Sequence, residues 1–196
     1  MTDGIAGDGM HTDRARQRWT HGVAALWGFA EATLFFVVPD VWISHVAVRS
    51  LRQGLWACVS ALVGALAGGI VVYGIGERHE SALLALYDRL PAISQGLIAR
   101  VAGELESLGG AGLVLGGFTG VPYKLYAAQA ASAGMDLPTF LAASALARGL
   151  RFALVALLVG LIARVLAARV GSRATRWILV VFWILFYAWY WSRMPN

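Results

Sequence analysis

The sequence predicts an all-α integral membrane protein, on three observations. Of the 196 residues, 59% are hydrophobic and 14% are charged, whereas soluble chains carry about 25% charged residues. Three apolar runs are long enough to cross a bilayer. Two further apolar regions are each broken near the middle by proline or glycine and by charge. A chain this apolar cannot bury its hydrophobic surface within itself, so we expect lipid to be its solvent.

Residues 1–19 are polar and are expected to form a loose amino-terminal tail. Arg14, Arg16 and Arg18 precede an apolar run, as they would in a signal peptide. However, Glu31 interrupts that run and no small-residue cleavage site ends it. We therefore do not predict a removable signal peptide.

The two broken regions, 22–46 and 109–135, are predicted to be re-entrant hairpins. Their bends are expected at Pro39 in the first region and at Gly120 and Pro122 in the second. Irregular backbone at membrane depth is tolerated only where protein or a water-filled cavity satisfies its polar groups. The alternative for each region is a kinked helix that crosses the membrane.

Three spans and a connector complete the predicted architecture. Residues 54–76 carry no charged side chain, and residues 137–164 are apolar apart from three arginines. The carboxyl-terminal part, 167–196, is read as a basic loop followed by an aromatic-rich spanning helix, which is also a candidate homo-oligomer contact. Residues 77–108, interrupted at Pro91, are predicted to form amphipathic helices on the membrane surface.

The distribution of charge favours hairpins over kinked spanning helices. With two hairpins, the arginines of the tail, of the segment 49–52 and of the segment 164–176 all lie on one side of the membrane. Residues 77–108, with five acidic and three basic side chains, lie on the other side. This matches the positive-inside rule. Hairpin plus crossing helix then occurs twice with opposite orientation, an inverted repeat typical of secondary transporters.

Two acidic residues lie within the first broken region. A carboxylate at bilayer depth costs at least about 2.5–3.5 kcal/mol, so Glu31 is expected to be paired, hydrated or protonated. Desolvation raises a carboxyl pKa, which makes Glu31 and Asp40 candidate proton carriers. The alternatives are a solvated Glu31 near a headgroup and a turn-capping Asp40.

Three basic residues are candidate ligands for an anion. Lys124 is the only lysine of the chain, and it lies just after Pro122. Arg148 and Arg151, three residues apart, share a helix face and suit bidentate binding of phosphate or carboxylate. The alternatives are a Lys124 that snorkels to the surface and arginines that pair structurally with Glu31 or Asp40.

Other classes of site are not predicted. The four histidines are scattered without metal-ligand spacing, and no motif indicates a cofactor, so neither a metal nor a cofactor is expected. No basic helix or zinc spacing indicates nucleic-acid binding. Cys58, the single cysteine, lies in an apolar run and is interpreted as a packing residue.

Four blocks in order, "AEATLFFVVPD", "GALAGGIVVYGIGER", "GGFTGVPYKLYAAQAASAGMDLPTF" and "ALARGLRF", resemble the DedA family of membrane proteins, also called the VTT-domain or SNARE-associated family. The small YqaA-type branch is the most similar. The resemblance covers roughly residues 22–165. It implies two opposed re-entrant hairpins, with Glu31 and Asp40 at the acidic positions of the first. Thr119 and Leu125 stand where many members carry arginines.

Members of that family are thought to move lipids across the bilayer. The resemblance therefore implies a proton-coupled transporter or flippase for a lipid phosphate, such as undecaprenyl phosphate or a phospholipid, in the cytoplasmic membrane. Membrane lipids and protons are the expected partners. Two alternatives stay open: an integral membrane lipid phosphatase, and a scaffold that transports nothing.

Overall fold

A computed structural model describes the backbone of residues 5–193 and the side chains of residues 17–193. This part of the chain is all-helical and contains no strand. The helices are α1 (Ile5–Thr33), α2 (Asp40–Arg49), α3 (Leu51–Tyr87), α4 (Gln95–Leu108), α5 (Gly110–Thr119), α6 (Tyr123–Gln129), α7 (Leu137–Val170) and α8 (Ser172–Ser192). Of these, α3, α7 and α8 are long and apolar enough to cross a membrane. The prediction of an all-α chain with three apolar helices of spanning length is confirmed.

Several helices are longer than predicted. Helix α1 begins at Ile5, so the expected loose tail is helical from that residue. Helix α3 continues to Tyr87 through a kink at His79, because neither proline nor glycine interrupts residues 77–90. Helix α7 continues to Val170, and Gly171 alone separates it from α8. The arginines of the expected basic loop therefore lie on helices.

Helices α3 and α7 form an antiparallel central pair. The Cys58 thiol donates to the Phe152 carbonyl at 3.3 Å, and the rings of Tyr73 and Phe140 lie 5.3 Å apart. Residues later in α3 therefore contact residues earlier in α7, so the two helices run in opposite directions. This arrangement brings the start of α3 and the end of α7 to one end of the bundle, which we call the basic end. Its arginines are Arg49, Arg52, Arg164, Arg169, Arg173 and Arg176.

Helix α1 packs along the first half of α3 at very short range. A Cβ at Gly64 would lie 1.8 Å from the Ala25 carbonyl oxygen, and a Cβ at Gly28 would lie 2.1 Å from the Ala61 oxygen. Small residues allow such close approach of two backbones. The spacing of Gly64 and Gly68 on α3 thus marks the surface that α1 covers.

Helix α2 runs back along α1 after a break at residues 34–39. The Trp27 indole donates to the Val37 carbonyl at 2.7 Å, and the Trp42 indole donates to the Thr20 carbonyl at 3.2 Å. Val37, within the break, therefore lies beside Trp27, and the later residue Trp42 lies beside the earlier residue Thr20. The two helices are antiparallel.

Helices α5 and α6 form a second broken segment, which α4 anchors. The Tyr126 hydroxyl donates to the Glu104 carboxylate, and Arg100 donates to the same group at 2.7 Å. These two donors lower the pKa of Glu104 below its ordinary value, the Tyr126 hydrogen bond being the larger cause. Between α5 and α6, Gly120 has a φ of 83°, a left-handed conformation that favours glycine.

Candidate functional site

A cavity of about 230 Å³ lies where the two broken segments meet. Its walls come from the breaks after α1 and after α5, from the middle of α7, and from one face of α8. All five charged residues singled out in the sequence line it: Glu31, Asp40, Lys124, Arg148 and Arg151. The fold therefore gathers into one cavity residues that are as much as 120 positions apart in the sequence.

The two arginines of α7 pair with the two carboxylates of the first segment. Arg148 forms an ion pair with Glu31. The Arg151 guanidinium donates to Asp40 Oδ2 through Nη2 at 2.7 Å and through Nε at 3.0 Å. The spacing of three residues places both guanidinium groups on the same face of α7, as predicted. This pairing agrees with the alternative interpretation, in which the two arginines pair structurally with Glu31 or Asp40.

Aromatic rings fix the position of the Arg148 guanidinium. Its Cζ atom lies 4.5 Å from the ring centre of Tyr123 and 5.2 Å from that of Phe152. The Tyr123 hydroxyl and the Ser144 hydroxyl are hydrogen-bonded at 3.0 Å. Cation–π contacts of this kind gain strength where water is excluded. Arg148 therefore joins the first segment, through Glu31, to the second, through Tyr123.

Lys124 differs from the two arginines because the ion pairs of the described residues do not include it. Its residue is only 2% exposed. The ammonium donates to the Phe35 carbonyl at 2.9 Å and lies 4.7 Å from the ring centre of Phe36. Both contacts come from the break between α1 and α2. A charge at the start of α6 thus touches the tip of the opposite segment, and it does not snorkel to the surface.

The charges of the cavity wall do not balance. Three cations and two carboxylates line it, so the wall carries one net positive charge when all five groups are ionised. Two buried polar atoms, Asp40 Oδ1 and Arg148 Nε, also have no hydrogen-bond partner among the described residues. Buried groups of this kind normally find a partner. The cavity therefore offers a net positive charge to an anion.

The residues predicted at the bends lie at the helix breaks. Pro39 is buried and immediately precedes α2. Gly120 ends α5, and Pro122 immediately precedes α6. At the tip of the first broken segment, Leu34 and Phe35 are exposed to the surroundings of the protein. Lys124, on the second segment, is buried. Gly120 and Pro122 also line the cavity, and Pro39 lies between the lining residues Val38 and Asp40.

Sequence reasoning missed the contribution of α8. The Trp183 indole donates to the Ser44 hydroxyl at 2.9 Å, and the Val38 N–H donates to the Tyr187 hydroxyl at 3.0 Å. Phe186 and Tyr190 also line the cavity. The spacing of Trp183, Tyr187 and Tyr190 along one helix face was the available signal. A homo-oligomer contact through α8 stays a prediction.

A membrane phosphatase would need a nucleophile beside a base, and Ser44 and His45 are neighbouring candidates in the first segment. The Ser44 hydroxyl donates to the Val41 carbonyl at 2.9 Å while it accepts from Trp183. His45 stacks on Trp42 at 5.9 Å between ring centres. Ser44 is fully buried. Its hydroxyl is thus engaged in packing α2 against α8.

Comparison of this chain with protein-family models, with curated proteins and with solved structures gives no match. The resemblance to the DedA family therefore stays a prediction.

Proposed function

We propose that the protein is a transporter or flippase that moves a lipid phosphate across the cytoplasmic membrane. The observation that carries the proposal is Lys124, a buried cation on the wall of a cavity between two broken segments. No carboxylate of the described residues pairs with it. A buried charge is costly unless it is compensated. An anionic headgroup would provide that compensation, and it would do so at the point where the two segments touch.

The proposal includes two re-entrant hairpins of opposite orientation. In support, α2 runs back along α1 towards the basic end, where the indole of Trp42 meets Thr20. In further support, α6 is tied to α4 through Tyr126 and Glu104, at the opposite end of the bundle. The contact from Lys124 to Phe35 then joins the two tips. Such an arrangement suits alternating access to a site near the midplane of the bilayer.

Proton coupling is assigned to Glu31 and Asp40. Each carboxylate neutralises one arginine of α7. Protonation of either acid would release its arginine, and the released guanidinium would then be available to a phosphate. On this mechanism Arg148 and Arg151 bind the substrate only after the carboxylate has been neutralised, whereas Lys124 attracts it from the start.

Transport by reconstituted protein tests the proposal. Full-length protein would be placed in phosphatidylcholine liposomes that contain a fluorescent, acyl-labelled phosphatidylglycerol, and translocation would be followed by chemical quenching of the outer leaflet. We expect Lys124→Met to slow translocation by about tenfold or more, because a hydrogen bond to a charged group contributes about 1.5–3 kcal/mol. Lys124→Arg, which keeps the charge, should retain most of the rate.

Controls separate transport from the two alternatives. Each variant would be checked for its thermal unfolding midpoint in detergent, because a scaffold would lose folding yield and any phenotype together. Release of inorganic phosphate from a lipid pyrophosphate would indicate a phosphatase instead. Equal translocation by the parent, by Lys124→Met and by empty liposomes would refute the proposal. An unchanged rate in Glu31→Gln would remove that acid from the mechanism.

A further inference from the structure

A second cavity, of about 280 Å³, opens at the basic end between the end of α2 and the start of α8. It shares no lining residue with the candidate site. We call it the basic pocket, and its lining residues are His45, Arg49, Arg173, Arg176, Trp177 and Val180. The inference drawn from it does not depend on the proposed transport function.

Three arginines line this pocket, and no acidic side chain of residues 17–193 lines it. Arg49 comes from α2, whereas Arg173 and Arg176 come from the first turns of α8. The ion pairs found within residues 17–193 include none of these three arginines. On the two helices that carry these arginines, the only acidic residue is Asp40, at the far end of α2. Guanidinium groups brought together in this way repel one another, and a bound phosphate would relieve the repulsion.

The remaining walls of the pocket are apolar. Trp177 is 62% exposed and Val180 is 36% exposed, both on the outer surface of the apolar helix α8. Tryptophan at the end of a spanning helix is typical of the headgroup region of a bilayer. The pocket therefore places three arginines beside an apolar wall that can contact an acyl chain. Inorganic phosphate would contact only the arginines.

We propose that the basic pocket binds the phosphate headgroup of an anionic phospholipid, with Arg49, Arg173 and Arg176 on the phosphate and Trp177 on the acyl chain. A lipid bound here joins α2 to α8. It therefore contacts the helix that carries Asp40 and the helix that carries Tyr187, at the opposite end of each helix from the candidate site.

Lipid titration monitored by native mass spectrometry of the detergent-purified full chain tests this proposal. Phosphatidylglycerol would be compared with phosphatidylcholine of the same acyl chains. The Arg173→Gln/Arg176→Gln variant would be compared with Arg164→Gln/Arg169→Gln, a matched control that removes the same charge from exposed positions at the same end of the bundle. Thermal unfolding in detergent would establish that both variants are folded.

We expect the parent to bind phosphatidylglycerol about tenfold more tightly than phosphatidylcholine. The pocket variant should lose about tenfold in affinity for phosphatidylglycerol, whereas the control should stay within about twofold of the parent. Trp177→Leu should weaken the binding of phosphatidylglycerol, whereas the affinity for added inorganic phosphate should not change. Equal losses in both arginine variants, or no loss in the pocket variant, would overturn the proposal. Saturable binding of inorganic phosphate with no preference for phosphatidylglycerol would also overturn it, in favour of a free anion.

Discussion

At the scale of single residues, the main feature is that the three cations of the cavity wall have different kinds of partner. Arg148 and Arg151 each have a carboxylate partner on the first segment, and Lys124 has a backbone carbonyl. An arginine can satisfy a carboxylate through several donors at once, which stabilises the pair in a site with little water. Within residues 17–193, the single ammonium of Lys124 has no such partner. This difference is why Lys124, and not the arginines, carries the proposal of anion binding.

The first prediction concerns the ion pair between Glu31 and Arg148. Removal of one partner leaves the other charge buried, so Glu31→Leu or Arg148→Met alone should lower the free energy of unfolding by about 3–5 kcal/mol. The double variant should be destabilised by less than the sum, because no unpaired charge remains. Unfolding in mixed micelles measures both effects.

The control for this prediction is Arg164→Met, which removes an exposed arginine from the same helix. Its unfolding free energy should change by less than about 0.5 kcal/mol. Strict additivity of the two single effects in the double variant would show that Glu31 and Arg148 are not energetically coupled.

At the scale of helices, the contact of α1 with α3 depends on the absence of side chains. The backbones approach so closely at Gly64 that even a methyl group would overlap the Ala25 carbonyl. Without a hydrophobic effect between helices in lipid, such contacts are stabilised mainly by close van der Waals packing. This contact positions the end of α1, and hence Glu31, beside α7.

A second prediction follows from two glycines of α3. Gly64→Ala should destabilise the protein by about 1–3 kcal/mol, because the added Cβ meets backbone that must shift. Gly74→Ala is the matched control, since a Cβ there meets no atom within 4 Å. It should be neutral or stabilising by up to about 1 kcal/mol. Thermal unfolding in detergent compares the two, and equal midpoints would contradict the described crossing of α1 and α3.

Helix α8 shows how an element outside the recognisable blocks of sequence becomes part of the site. Only 6% of its most apolar stretch is buried, compared with 44% for α3. Two of its polar contacts, from Trp183 and to Tyr187, are made with α2 and with the break before it. The helix is thus attached at the cavity wall and exposes most of its surface to the surroundings.

At the scale of the whole molecule, the antiparallel order of α3 and α7 gives the bundle two different ends. The arginines of three separate parts of the chain gather at the basic end. The opposite end contains α4 and the kink at His79, with an excess of acidic residues in the segment 77–108. This asymmetry is what the positive-inside rule requires of a chain with a defined orientation in the membrane.

A third prediction tests the membrane topology of the proposed hairpins. In a Cys58→Ala background, single cysteines would replace Gln17, Gln53, Ser107 or Ser132, all of which are exposed. If both broken segments are re-entrant, a membrane-impermeant maleimide should label positions 17 and 53 from one side only, and positions 107 and 132 from the other side only.

Kinked spanning helices predict a different pattern of labelling. Positions 17 and 53 would then react from opposite sides of the membrane, and so would positions 107 and 132. Intact cells and inverted vesicles provide the two sides. A cysteine at position 124 should be protected in both preparations, because Lys124 is buried. Its rapid labelling from bulk water would contradict the described cavity.

The sequence by itself determined the properties that depend on neighbours along the chain. Long apolar runs predicted helices α3, α7 and α8, because the cost of desolvating the backbone in lipid is met by local hydrogen bonds. Proline and glycine marked the two breaks, because both residues weaken a helix locally. The chain positions of Glu31, Asp40, Lys124, Arg148 and Arg151 identified the charged residues that would need partners.

Only the tertiary structure decided which of these charges meet. Glu31 and Arg148 are 117 residues apart, and Arg151 and Asp40 are 111 apart. Nothing local to either residue encodes such a pairing, since it depends on where α1 crosses α3 and on the rotation of α7 about its own axis. The same holds for Tyr187, whose hydroxyl reaches a backbone N–H 149 residues away. Helices are specified locally, whereas the site depends on how they pack.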